Sequence, residues 1–310
     1  MADAPSDPHD PAARVDAWLN GAWMVAALAA AAEGAPLSRE HGGLLAAAGC
    51  AEPDGDGWRL LPAYRDVIAG PAGEPSAFPR RVARQLSQAA DAALGVEDHA
   101  AEDDAAFLAE GAASGRRMAD FLNLLEARVP GFGDLLGRDG LRFLDAGTGI
   151  GAIAAAVLDR VPGSRAVGLD VQPRALRLAE RHLGERGLRD RVELRLLDVA
   201  GLSETGSYDL AWLPLAALPP DAVARALPRV REALRPGAWL LTATVLRDDP
   251  GDAPDGGVRD AVVRWRMSRS RITPWGPREA ARELSAAGYR DVRRVATSEP
   301  ALTLLVARTP

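Results

Sequence analysis

The spacing of apolar residues changes character near position 140. Beyond it, short apolar runs at 141–145, 166–170, 192–197, 208–213 and 239–245 alternate with longer stretches. Short runs of this kind suit strands buried on both faces of a parallel sheet. The stretches between them, 151–160, 173–186 and 220–234, carry helix-compatible spacing. Strands alternating with helices predict a doubly wound α/β domain. The rhythm breaks at the end, where strands at 292–296 and 301–308 follow each other with no helix between. Two such strands must be antiparallel neighbours.

Before position 140 the apolar spacing is helical. Residues 1–11 read as a disordered tail, and helix formers begin at Ala12. Trp18, Leu19, Met24, Val25 and Leu28 form one apolar stripe, with Asp16 and Asn20 elsewhere. A second helix is expected over 39–48, with Ser38 as its N-cap. Asp54-Gly-Asp-Gly is a tight-turn signal, and with Trp58-Arg-Leu-Leu it predicts a small hairpin. A Pro/Gly/Ser linker at 71–79 leads to helices at 80–94 and 103–128.

Composition narrows the function classes. The 310 residues carry a net charge of −6, with 47% hydrophobic and 26% charged side chains, an ordinary globular balance. All 37 basic residues are Arg. The net charge argues against general affinity for nucleic acid or anionic membrane. The single cysteine, Cys50, excludes an intrachain disulfide and a cysteine zinc cage, and its apolar surroundings suggest a buried hydrophobe. The acidic N-terminus has no basic signal region. The 21–32 apolar stretch falls short of the about 20 residues a bilayer requires. A cytoplasmic location is the expectation.

The chemistry concentrates at Asp145-Ala-Gly147-Thr148-Gly149-Ile-Gly151, between a strand and a helix. Backbone amides meet ligands there, and Gly147 and Gly149 permit a turn and a close approach. Alone, the loop also satisfies the dinucleotide pattern through Gly147, Gly149 and Ala152. Asp170 closes the second strand, where a carboxylate accepts ribose hydroxyls, and Asp198 closes the third, where one accepts an adenine amino proton. Leu234-Arg-Pro-Gly237 reads as a turn into the fifth strand.

In these motifs, residues 141–310 resemble the class I S-adenosylmethionine-dependent methyltransferases. The resemblance implies a mostly parallel seven-stranded sheet with an antiparallel C-terminal hairpin, and a domain spanning 136–310. It implies S-adenosylmethionine as cofactor, held by Asp145, Gly147, Thr148, Gly149, Gly151, Asp170, Val171, Asp198, Val199 and Leu213. No metal is expected: some relatives orient catechol oxygens with one, but this sequence has no matching carboxylate–Asn constellation. Two readings from other classes stay open: a nicotinamide-dependent oxidoreductase, and a cofactor-binding protein that transfers no methyl, such as a regulator or cyclising enzyme.

On the acceptor side the fourth strand ends Trp212-Leu-Pro214, not in the Asn/Asp-Pro-Pro-aromatic motif of many amine and amide methylating relatives. Trp212 and Pro214 either wall a substrate cavity or pack a strand end. The small-molecule O-methyltransferases place a general-base His after the fifth strand. Here the histidines are His9, His41, His99 and His182, so no catalytic residue is assigned and proximity to an acidic acceptor oxygen would drive transfer. His182 is expected to be solvated. An insertion at 248–275 carries five Arg between Arg259 and Arg271, with Trp265 and Met267. It is either a solvated basic helix or a lid contacting the acceptor.

Residues 12–75 resemble a reduced winged-helix dimerisation module of small-molecule O-methyltransferases, in Gly43-Leu-Leu-Ala-Ala-Ala-Gly49-Cys, the Asp54 turn and Trp58-Arg-Leu-Leu-Pro62. Residues 76–135 are then a helical, pocket-lining linker. With 4 Arg against 11 acids in residues 1–75, DNA binding is disfavoured. The expectation is a homodimer acting on a small-molecule acceptor at an oxygen of a secondary metabolite, with methylation at carbon or nitrogen as the alternative.

Overall fold

The computed structural model describes residues 10–34, 36–69, 76, 78–96, 104–246, 257–270, 272–297 and 302–310. It forms two compact units, 1–100 and 101–310.

The first unit opens with α1 (Pro11–Ala30), whose start is set by Asp10: its side chain accepts from the Ala12 amide, and Pro11 fills the first turn. The helix therefore takes in the end of the expected 1–11 tail; residues 1–9 lie outside the described ones. In α2 (Arg39–Ala47), Ser38 caps the His41 amide as anticipated, while His41 Nε2 meets the Ala27 carbonyl oxygen at 2.8 Å and ties the two helices. The hairpin follows as β1 (Ala51–Asp54) and β2 (Gly57–Leu60), with Asp54 opposite Gly57. Trp58 packs closely on α2 at Gly42, where a Cβ would sit 2.0 Å from its Cγ. An unanticipated helix, α3 (Pro62–Ile68), starts at Pro62, and α4 (Phe78–Ala93) ends the unit. Leu45, Cys50, Ala51 and Ile68 form its core. Most of the stripe expected on α1 turns outward instead: Trp18, Leu19 and Met24 are exposed, as is Trp23 beside it, Val25 is half-buried, and Leu28 with its small neighbours packs on the core.

The second unit begins with α5 (Asp104–Arg128), which packs on the helix formed by residues 152–160, and a short α6 (Phe132–Leu136) that no sequence signal announced. Its sheet comprises β3 (Arg142–Ala146), β4 (Arg165–Asp170), β5 (Val192–Leu196), β6 (Tyr208–Trp212), β7 (Leu234–Thr244), β8 (Arg290–Ala296) and β9 (Thr303–Arg308). The order is β5-β4-β3-β6-β7-β9-β8. The first five strands are parallel, and β9 runs antiparallel between β7 and β8. This is the expected seven-stranded, mostly parallel sheet with its terminal hairpin.

Helices α7 (Ala152–Arg160), α8 (Pro173–Glu185), α9 (Pro220–Ala233), α10 (Val258–Arg269) and α11 (Pro277–Ala286) complete the unit. Alternation along each strand supplies two cores. Phe143, Trp239 and Leu241 join Leu122, Leu125 and Leu158 on one face. Leu144 and Leu240 join Leu227 and Leu284 on the other. Each such side chain contributes about 1.5–3 kcal/mol when fully buried, so both faces hold the sheet.

One expectation is corrected. Leu234-Arg-Pro-Gly237 does not precede the fifth strand but belongs to it. Tyr208 pairs with Leu234, and Leu210 with Trp239, so β7 carries extra residues opposite Asp209 as a bulge. Gly237, at φ +72°, takes the backbone conformation that this detour needs.

Candidate active site

The parallel strands β3, β4 and β5 end side by side, and the loop after β3 turns directly into α7. Asp145, near the end of β3, is fully buried. Its Oδ2 accepts from the Thr148 hydroxyl at 2.8 Å and from the Ala154 amide at 3.2 Å, the latter in the first turn of α7. Its Oδ1 is buried with no partner. Burial pushes the carboxyl up to about 7; the two hydrogen bonds oppose this, and the nearby Asp170 charge adds to it.

The three loop glycines serve different purposes. Gly147 has φ +68°, and a Cβ there would lie 3.2 Å from Pro214 Cγ. Gly149, at φ +56°, faces open space, so its lack of a side chain leaves the backbone accessible. Gly151 has φ +75°, and a Cβ would meet Leu183 Cδ1 at 2.9 Å. Its function is packing of α7 against α8. Thr148 stitches the loop to β4 by donating its amide to the Leu169 carbonyl oxygen at 2.8 Å. That close approach requires Gly168, where a Cβ would stand 2.8 Å from Thr148 Oγ1. Sequence reading did not single out Gly168; a glycine interrupting an apolar strand was the available signal.

Asp170 closes β4 with both oxygens already engaged by backbone: Oδ2 accepts from Gly149 N at 2.9 Å and Oδ1 from Gln172 N at 2.9 Å. The carboxylate is thereby fixed against the loop, and each oxygen retains a lone pair for a further donor. Asp198, just beyond β5, is exposed and accepts from Ala200 N at 2.9 Å, capping the turn 199–201. Val171 is exposed beside Asp170, whereas Val199 is buried. Two accessible carboxylates flanking an open glycine backbone can take the hydroxyl and amino protons of a nucleoside.

Residues 143–237 match the family model described as a methyltransferase domain. Residues 143–237 are a methyltransferase domain. Among curated proteins, the ribosomal protein L11 methyltransferase of Thermus thermophilus is 36% identical over 111 residues, covering 36% of this chain and 41% of that protein. The chain thus spans about two-fifths of that relative's length. Among solved structures, an O-methyltransferase family protein from Burkholderia thailandensis superposes with a TM-score of 0.68 at 18% identity, covering 99% of both chains. Human N-acetylserotonin methyltransferase in complex with SAM gives 0.65 at 17% identity, again over 99% of each chain. These likenesses show the fold.

The other candidate residues differ in exposure. Leu213 is fully buried in the second core, so its side chain presents nothing to a ligand. Trp212 is buried in the first core, and Pro214 is half-buried against Gly147. On α10, Trp265 is exposed and Met267 half-buried. Arg259 donates to the Val245 carbonyl oxygen at 3.0 Å, and Arg264 to that of Pro274 at 3.5 Å. The remainder of the insertion, 248–256 and Arg271, lies outside the described residues, as do His9 and His99.

His182 is not solvated as expected. On α8 it is half-buried, its Nε2 is enclosed without a partner, and desolvation lowers its pKa. The reason is its place on the helix: it lies three and four positions after buried Ala179 and Leu178 and so shares their face.

A cavity of about 220 Å³ opens at the other end of the sheet, lined by Arg138, Asp209, Arg235, Gly237, Trp239 and Arg308 among others. Buried Asp209 accepts from Arg235 Nη1 at 2.6 Å, Arg138 Nη1 at 3.4 Å and the Arg142 amide at 2.8 Å. Arg308 lies over the Trp239 ring at 4.8 Å and donates twice to the Gly237 carbonyl oxygen. These contacts clamp the β7 bulge, and nothing in them touches the glycine loop.

Proposed function

We propose that this chain transfers a methyl group from S-adenosylmethionine to an oxygen of a small-molecule acceptor. The observation that carries this reading is the row Asp145, Asp170 and Asp198 at adjacent strand ends around an open Gly149 backbone. The residues fit the cofactor. Asp170 is pre-set to accept ribose hydroxyls, Asp198 to accept the adenine amino group, and Gly147 and Gly149 leave room for the amino-acid tail. Val171 supplies an apolar edge to the base, while Val199 anchors the turn after Asp198 in the core behind it. Thr148 and Gly151 act from behind, one bracing the loop and the other seating α7.

When bound, S-adenosylmethionine supplies a methyl group already made electrophilic by its sulfonium. The chain's remaining task is to align the acceptor and keep water out. Trp265, Met267 and the arginines of α10 are proposed for that task, with Arg264 and Arg266 as candidate anchors for an anionic group. Trp212 and Pro214 contribute, in this reading, as a rigid floor under the acceptor. No side chain is assigned as base, since an acidic phenol or enol needs none.

Small-molecule specificity is supported by the fold shared with human N-acetylserotonin methyltransferase. The curated relative, by contrast, is named for a ribosomal protein and matches over 111 residues, 36% of this chain. A homodimer through a winged-helix-like first unit is supported by the uncovered Trp18, Leu19 and Trp23 of α1. Among the described residues no helix is long and apolar enough to cross a membrane. A cytoplasmic enzyme is the matching proposal.

Titration calorimetry with S-adenosylhomocysteine and with NAD tests the cofactor. The expected result is binding of the former alone, weakened at least about tenfold by Asp170→Ala, equivalent to the loss of one charge-assisted hydrogen bond. Binding of NAD in its place would sink the proposal. A mass-shift screen of phenols then tests the acceptor class.

A further inference from the structure

We propose that Asp145 reads the charge of the cofactor: it carries a proton while the site holds no cation and releases it when a sulfonium binds. The site then tells S-adenosylmethionine from its neutral thioether product. The inference rests on the cofactor assignment above and adds a discrimination that the fold does not imply.

The geometry is asymmetric. Oδ2 has two donors, from Thr148 and Ala154, while Oδ1 is enclosed with none. A fully buried carboxylate with one bare oxygen is costly, whereas a carboxylic acid there needs no counter-charge. Neighbouring elements do not stabilise the ion. In register, Asp145 faces Gly168 on β4 and Trp212 on β6, neither of which ionises. Asp170, at the end of β4, is the charged group acting on it and opposes ionisation; α7 brings only the Ala154 amide. No basic side chain among the described residues hydrogen-bonds or ion-pairs with Asp145.

The apo group consequently titrates at about 7, within reach of a modest perturbation. A unit positive charge within about 10 Å lowers a carboxyl pKa by roughly one unit or more at an effective dielectric of about 20. The proton balance is simple: Asp145 carboxylic acid becomes carboxylate, and one proton passes to solvent as the cation enters. After methyl transfer the sulfur is neutral, the bare carboxylate again lacks a counter-charge, and it recovers a proton. S-adenosylmethionine is thereby favoured over S-adenosylhomocysteine increasingly as pH rises.

Calorimetry of both ligands at pH 6.5, in two buffers of different ionisation enthalpy, measures the protons released. The ligands share the same amino-acid group, so its titration cancels. S-adenosylmethionine is expected to release about 0.5 proton more than S-adenosylhomocysteine, and Asp145→Asn to abolish the difference. In the unmodified protein, the ratio of the two affinities is expected to move about tenfold toward S-adenosylmethionine between pH 5.5 and 8. This second measurement stands even if the variant fails to fold. Equal proton release with a pH-independent ratio would overturn the proposal while leaving the cofactor assignment intact. Failure of both ligands to bind would remove the cofactor assignment, and this inference with it.

Discussion

Replacing Asp145 by Asn makes the cost of the buried carboxylate measurable in the unliganded protein. The amide oxygen can still accept from Thr148 and Ala154, so the substitution removes mainly the ionisation. The folded carboxyl titrates at about 7 against 3.8 for an unperturbed one. Because the folded value is the higher, the native state holds the extra proton between these pH values. The group's contribution to stability is therefore full below the unfolded pKa and lost as pH rises through 7. At about 1.36 kcal/mol per unit, the total is about 4 kcal/mol, of which about 2–3 kcal/mol is lost between pH 5 and 8.

Other groups titrate over the same range, so the informative quantity is the difference between parent and variant. Denaturant unfolding at pH 5, 6, 7 and 8 can be read by hydrogen exchange of peptides from β6 and β7, which report the second unit alone. The parent is expected to lose ground to Asp145→Asn steadily up to about pH 7 and to level off above it. A parent–variant difference flat to within about 0.5 kcal/mol over that range would refute the reasoning, since a carboxyl already ionised at pH 5 has no cost left to reveal.

Gly151→Ala should cost about 1–3 kcal/mol in denaturant unfolding, since its Cβ enters Leu183 at 2.9 Å on a backbone of φ +75°; Leu183→Ala should make the added methyl less damaging. Asp209→Ala strips the partner from two arginines and the Arg142 amide. Half-exposed guanidinium heads moderate the loss to about 1–3 kcal/mol, with S-adenosylhomocysteine affinity unchanged because the cluster lies at the far end of the sheet. Trp18→Ser with Trp23→Ser should turn a dimer into a monomer in sedimentation velocity without lowering the melting temperature, as both rings are exposed.

The strands were legible because their signal is local. A run such as 141–145 must be buried on both faces whatever surrounds it, and β3 occupies Arg142–Ala146. The Ser38 cap and the Asp54 turn were legible for the same reason, each set within four residues. The α1 stripe misled because helical periodicity reveals an apolar face but not whether this chain covers it. Leu234-Arg-Pro-Gly237 misled because a bulge and a turn share their residues, and only pairing with Tyr208 and Leu210 distinguishes them. His182 was expected in solvent from its place on a helix, while the face it shares with buried Leu178 and Ala179 decided otherwise.

By itself the sequence determined the alternation of elements, the antiparallel end of the sheet, and which short stretches carry glycine and acid. These depend on interactions over a few residues, where stereochemistry leaves few choices. Tertiary structure alone decided what each of those groups does. Gly151 is required by Leu183, 32 positions away, Asp209 by three partners from separate segments, and Gly168 by the Thr148 side chain. The loop's Asp145 is the sharpest case: a carboxylate on paper, it is held near neutrality because folding removes water from both oxygens and returns donors to only one.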